Sequence, residues 1–93
     1  MSASATVKMY TRPGCWFCAA ARRLLQQKGV PFEDIDIGGQ PELRQEMEKL
    51  SGGYTVPQIF INDRPVGGYD DINALDKRGE LDPLLSAPRE DKG

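Results

Sequence analysis

The chain has no histidine, only two cysteines, no excess of basic charge and no long apolar run. Each shortage removes a class of function. Without histidine a nucleophile has no ordinary general base beside it, and the nitrogen ligands of common zinc sites are missing. A net charge of −2 argues against nucleic acid as a partner, because phosphate binding needs a basic surface. No apolar stretch approaches the roughly 20 residues that span a bilayer. The opening "MSASATVKMY" has no apolar core behind a basic start, so it does not read as a secretory signal. The expected location is the cytoplasm, where two thiols serve catalysis or metal binding more often than they serve as a structural staple. With 93 residues, 39% of them hydrophobic, there is material for one core. A single domain is expected over residues 1–85, with "SAPREDKG" (86–93) as a flexible C-terminal tail.

What is present is a regular alternation of short elements. Thr6 to Tyr10 alternates with the period of a strand. "CWFCAAARRLLQQK" (15–28) is rich in helix formers, with Ala21, Leu24 and Leu25 on one face, and Gly29 and Pro31 end it. Phe32 to Ile37 reads as a second strand with Ile35 and Ile37 on one side. Pro41 opens a second helix that carries Leu43, Met47 and Leu50 and stops at Gly52-Gly53. Val56 to Ile61 is the most apolar strand; an Asn62-Asp63 turn returns it through Pro65 to Gly67. Asp70 and Asp71 favour a third helix start by complementing the helix dipole, Ile72 and Leu75 give that helix an apolar face, and "LDPLL" adds a last turn. The order β-α-β-α-β-β-α implies a right-handed parallel crossover followed by an antiparallel hairpin. This is an α/β, thioredoxin-like outline: a four-stranded mixed sheet flanked by helices.

Cys15 and Cys18 sit where the first strand turns into the first helix. Unsatisfied N–H groups at a helix start favour a thiolate, and Arg12 adds a full positive charge three residues earlier. A nucleophile made this way needs no histidine. Cys18, one turn further in on the same side, is the natural resolving thiol. A CxxC pair is also half of a zinc site, but this chain offers no second pair and no histidine to complete one. A disulfide between the two closes so short a loop that it would restrain the unfolded chain little. The pair could also be core packing, although a helix start just after a turn disfavours that.

Three segments in this order, "VKMYTRPGCWFC", "TVPQIFIN" and "GGYDDINALDKRGELDPLL", resemble the glutaredoxin family, and the likeness covers nearly the whole chain. It looks closest to the small bacterial dithiol glutaredoxins. The resemblance implies a glutathione-disulfide oxidoreductase that reduces protein–glutathione mixed disulfides and protein disulfides, with Cys15 as nucleophile and Cys18 as resolving cysteine. It places Arg12 beside the thiolate and the glutathione carboxylate, and Phe17 in the lining of the groove. Thr55, Val56 and Pro57 match a TVP motif with a cis proline, where the backbone pairs with the cysteinyl part of glutathione like an added strand. Gly68, Tyr69, Asp70 and Asp71 match the segment that receives the γ-glutamyl end, and Arg44 matches a contact to the glycine carboxylate. Glutathione carries two carboxylates and one ammonium, which suits this distribution of charge. Each position has a plainer role beside this one: Arg44 as a solvated helix residue, Asp70 and Asp71 as caps, Pro57 as an edge-strand proline, Phe17 as cover for the core and Trp16 as a contact surface.

Two departures matter. Trp16 and Phe17 stand where the family motif has proline and tyrosine, which restores a backbone N–H near the sulfur and removes a hydroxyl. Tyr69 replaces a smaller residue and narrows the γ-glutamyl pocket. The missing proline brings in a second reading, because some glutaredoxins without it hold a [2Fe–2S] cluster between two protomers, each giving one thiolate like that of Cys15 and one glutathione. On that reading the protein is a carrier or redox sensor acting as a cluster-bridged dimer rather than a monomer. A third reading is a redoxin reduced directly by thioredoxin reductase.

Overall fold

Val7 and Met9 point to one face of the first strand and Tyr10 to the other, and all three are buried. A strand covered on both faces belongs in the middle of a sheet, and that is where it lies. The computed structural model describes residues 5–87. Within them the order is β1 (Val7–Thr11), α1 (Trp16–Gln27), β2 (Glu33–Asp36), α2 (Pro41–Ser51), β3 (Gln58–Ile61), β4 (Arg64–Gly67), α3 (Tyr69–Lys77) and α4 (Leu81–Ser86). The strands lie in the order β2-β1-β3-β4, with β1 parallel to β2 and antiparallel to β3, and β3 antiparallel to β4. The thioredoxin-like arrangement expected from the element order is the observed one.

The helices divide between the two faces according to their apolar positions. Val7, Met9, Ile59 and Ile61 meet Ala21 and Leu25 of α1, Ile72 of α3, and Leu81 and Leu85 of α4 in one core cluster. Tyr10, Ile37 and Phe60 meet Met47 of α2 in the other. Tyr10 and Phe60 stack edge to face, with ring centroids 5.7 Å apart. Leu50, in line with Leu43 and Met47 by spacing, is 54% exposed at the end of α2.

Tyr10 is buried, and its hydroxyl donates to Glu46 Oε2 at 2.8 Å. Burial first, and then the Glu46 carboxylate, push its phenol from 10.0 up to about 12. A group raised in the folded state stabilises the fold fully below its unfolded value and loses that contribution as pH climbs through the folded one. Urea unfolding should therefore show stability falling between about pH 10 and about pH 12. Tyr10→Phe should remove most of that fall at a cost of about 1 kcal/mol near neutrality. An unaltered alkaline profile in the variant would assign the fall to other groups.

Several boundaries differ from expectation: β1 runs over Val7–Thr11 and not Thr6–Tyr10, and β2 over Glu33–Asp36 and not Phe32–Ile37. β3 starts at Gln58 and not Val56, because Pro57 has no N–H to give to a ladder. α3 starts one residue early, at Tyr69: Gly68 is its N-cap, and the Gly68 N–H donates to Asp71 Oδ2 at 2.9 Å. The expected last turn is the helix α4, which buries Leu81 and Leu85. Ser86 belongs to α4. Ala87 is held as well, its N–H donating to the Pro83 carbonyl at 3.0 Å and its own carbonyl accepting from Asn62 Nδ2 at 3.1 Å. The rest of the expected tail, 88–93, lies outside the described residues. No helix among the described residues is long and apolar enough to cross a membrane.

Candidate active site

β1 ends at Thr11, and Gly14, with φ +73°, lets the chain turn sharply into α1. Cys15 is the N-cap of that helix, and its sulfur accepts the N–H of Cys18 at 3.1 Å. The sulfur therefore occupies the position where a helix start most needs an acceptor. Cys15 is half-buried, whereas Cys18 is wholly buried. Burial, and then the hydrogen bond with Cys15, push the Cys18 thiol up to about 12, against an opposing backbone hydrogen bond from Arg12. One sulfur is presented and the other is held back as the neutral thiol, the asymmetry expected of nucleophile and resolving cysteine.

The predicted groove residues come together, but in two recesses rather than one. Phe17, Thr55, Val56, Pro57, Gly68, Tyr69, Asp70 and Asp71 line a groove of about 400 Å³. The Val56-Pro57 bond is cis, and the Phe17 and Tyr69 rings stack with centroids 6.2 Å apart. Tyr69 thus forms a wall of the groove with Phe17. Phe17 is 50% exposed, so it lines the groove and does not cover the core. A side chain on Gly68 would press on the Pro57 carbonyl at 3.3 Å, and this close approach joins the two loops of the groove. Arg12, Cys15 and Trp16 line a separate recess of about 660 Å³ together with Arg22, Asp34 and Asp36. The Cys15 thiol bridges the two, donating towards the Val56 carbonyl at 3.8 Å.

Arg44 lines neither recess. Its guanidinium donates to the Tyr54 carbonyl at 2.9 Å and pairs with Glu48 at 3.2 Å, so it ties α2 to the segment leading into Thr55. Asp71 is engaged as the cap of α3, while Asp70 is exposed at the groove. Sequence reasoning missed the Arg22–Asp34 pair, 2.7 Å apart. Its signal was the spacing of Arg22 one helical turn after Cys18, but the partner on β2 depends on the sheet. Among the described residues no group of three or more His, Cys, Asp or Glu side chains could hold a metal ion. A cluster ligated here would draw on Cys15 alone from each chain.

The glutaredoxin family model matches residues 7–66. A glutaredoxin of Pseudomonas aeruginosa is 51% identical over 81 residues, covering 87% of this chain and 96% of that protein. Glutaredoxin 3 of Escherichia coli is 52% identical, over 87% of this chain and 98% of that one. Among solved structures, the Brucella melitensis glutaredoxin in solution superposes with a TM-score of 0.80 at 50% identity, covering 91% of this chain and 92% of that one. The buckwheat glutaredoxin–glutathione complex has a TM-score of 0.80 over 87% of this chain and 76% of that one, and at 24% identity it speaks for the fold alone.

Proposed function

Because this chain belongs to the glutaredoxin family and is a thiol-disulfide oxidoreductase, we propose that it works with glutathione as co-substrate on protein–glutathione mixed disulfides and protein disulfides. The observation that carries this reading is the presented Cys15 sulfur, 3.8 Å from the Val56 carbonyl at the meeting of two recesses. The extended stretch at Thr55–Pro57 suits the peptide backbone of glutathione as an added strand. Arg12, exposed beside Cys15, suits a carboxylate. At the far end, the α3 N-terminus suits the γ-glutamyl carboxylate and Asp70 its ammonium. Arg44 supports the site from behind by holding the Tyr54 carbonyl, and a glycine carboxylate would compete with Glu48 for its guanidinium.

In the first cycle the Cys15 thiolate attacks the glutathione sulfur of a mixed disulfide. The client thiolate leaves and takes up a proton, and a second glutathione then displaces the first as oxidised glutathione. In the second cycle Cys15 opens a protein disulfide, Cys18 displaces the client, and two glutathiones reduce the Cys15–Cys18 bond. Both cycles need a reducing compartment, in keeping with the cytoplasm, and a monomer suffices for each. A bridging [2Fe–2S] cluster would use the same Cys15 and compete with them.

The test is turnover of a glutathionylated peptide, with NADPH oxidation coupled either through glutathione and glutathione reductase or through thioredoxin reductase. Activity that requires glutathione and ignores thioredoxin reductase is the expected result. A folded protein driven only by thioredoxin reductase would overturn the glutathione assignment and leave the thiol chemistry standing.

A further inference from the structure

Cys18 has to act as a nucleophile in the second cycle, yet it is wholly buried and held as the neutral thiol. Residues four apart on a helix stand one above the other, so Arg22 lies one turn beyond Cys18 on the same side of α1. Its guanidinium is held by Asp34, which is itself held. Nε donates to Asp34 Oδ2 at 2.7 Å, and the buried Thr11 hydroxyl donates to Asp34 Oδ1 at 2.7 Å. Both oxygens of Asp34 are thus engaged, and the carboxylate reaches from β2 past the end of β1 to α1. A half-exposed ion pair by itself counts for little. This one lines the recess that opens on Cys15, and its guanidinium attracts both thiolates, Cys18 more than Cys15.

We propose that Arg22 is a positioning residue for the resolving step: held by Asp34, which Thr11 holds in turn, its guanidinium stabilises the Cys18 thiolate as that thiolate attacks the Cys15 sulfur. The proposal rests on the dithiol cycle above. In the step, Cys18 gives its proton to solvent, the Cys15–Cys18 bond forms, and the bond from Cys15 to the client breaks. The client thiolate leaves and takes up a proton. The client disulfide has gained two electrons and the dithiol has lost them. The glutathionyl cycle, which uses Cys15 alone, depends on Arg22 less, because its guanidinium acts on Cys15 more weakly than on Cys18.

The step can be watched without client or glutathione by mixing the reduced protein with one equivalent of 4,4′-dithiodipyridine, an uncharged aromatic disulfide. Attack by Cys15 releases one thiopyridone, and attack by Cys18 on the resulting mixed disulfide releases the second. Arg22→Gln should slow the second release about three- to ten-fold and leave the first within about two-fold. Arg22→Lys should restore the second to within about two-fold of native. Arg22→Met, which keeps the aliphatic stem, is the alternative charge-removing variant if glutamine impairs folding. Equal slowing of both releases, an unchanged second release, or no recovery with lysine each overturns the proposal. Cys18→Ser should show only the first release; a second release there would remove the resolving step and the proposal with it. Normal two-step release without glutathione-driven turnover counts against the glutathione assignment and leaves the Arg22 proposal intact.

Discussion

Cys15→Ser should lower glutathione-dependent turnover by about a thousand-fold or more, whereas Cys18→Ser should keep deglutathionylation within a few-fold of native. Serine is a good N-cap, and its oxygen can accept the Cys18 N–H that the sulfur accepts now. The helix start therefore survives Cys15→Ser, and what disappears is the nucleophile. Cys18→Ser is the reverse case. It places a hydroxyl where a thiol is wholly buried, at a cost of about 1–3 kcal/mol in stability, but it leaves Cys15 and the groove untouched. Coupled turnover of a glutathionylated peptide, with thermal melts as the folding check, separates the two. Substantial activity in Cys15→Ser would move the chemistry elsewhere in the chain. Loss of activity in a folded Cys18→Ser would show that the glutathionyl cycle needs both thiols.

Gly67→Ala should be among the most damaging substitutions outside the core. Gly67 has φ +113°, in the region that favours glycine, and a Cβ there would collide with the Asp71 carboxylate. That carboxylate accepts the Gly68 N–H and caps α3. Backbone strain of about 1–3 kcal/mol adds to a cap worth about 0.5–2 kcal/mol, and a domain of this size loses several degrees of Tm for each kcal/mol. A drop of about ten degrees or more is expected. Gly39→Ala is the control, because Gly39 has φ +69° with open space around it, and it should cost about 1 kcal/mol. Equal losses in the two variants would mean that the collision with Asp71 contributes nothing.

The strands and helices were legible because their signals are local. Val7 and Met9 alternate, Gly29 and Pro31 end α1, and Pro41 opens α2. The errors lie where a distant group supplies what the local sequence does not. Asp71 caps the Gly68 N–H from inside the helix, so the start at Tyr69 was not visible in a residue type. Pro57 removes a ladder donor from what reads as a continuous apolar strand. Ser86 and Ala87 look like the start of a polar tail, but Leu81 and Leu85 draw the segment onto the core and Asn62 holds its end. The candidate site shows the same division. Cys15, Cys18, the Thr55–Pro57 stretch and the Gly68–Asp71 segment were singled out as candidates from motifs. The Arg22–Asp34 pair and the tie from Arg44 to the Tyr54 carbonyl were not, because each joins elements that meet only after folding.

The sheet has two open margins, β2 and β4. The first is only four residues long and exposes Glu33, Asp34 and Asp36; the second carries Arg64 and Pro65 facing solvent. Charge, brevity and a missing N–H are the features that keep a sheet margin from recruiting strands of other chains. On the proposed function, partly unfolded, disulfide-linked clients would constantly offer this chain loose backbone. Blunted margins would let it pass through such encounters without being seeded into aggregates.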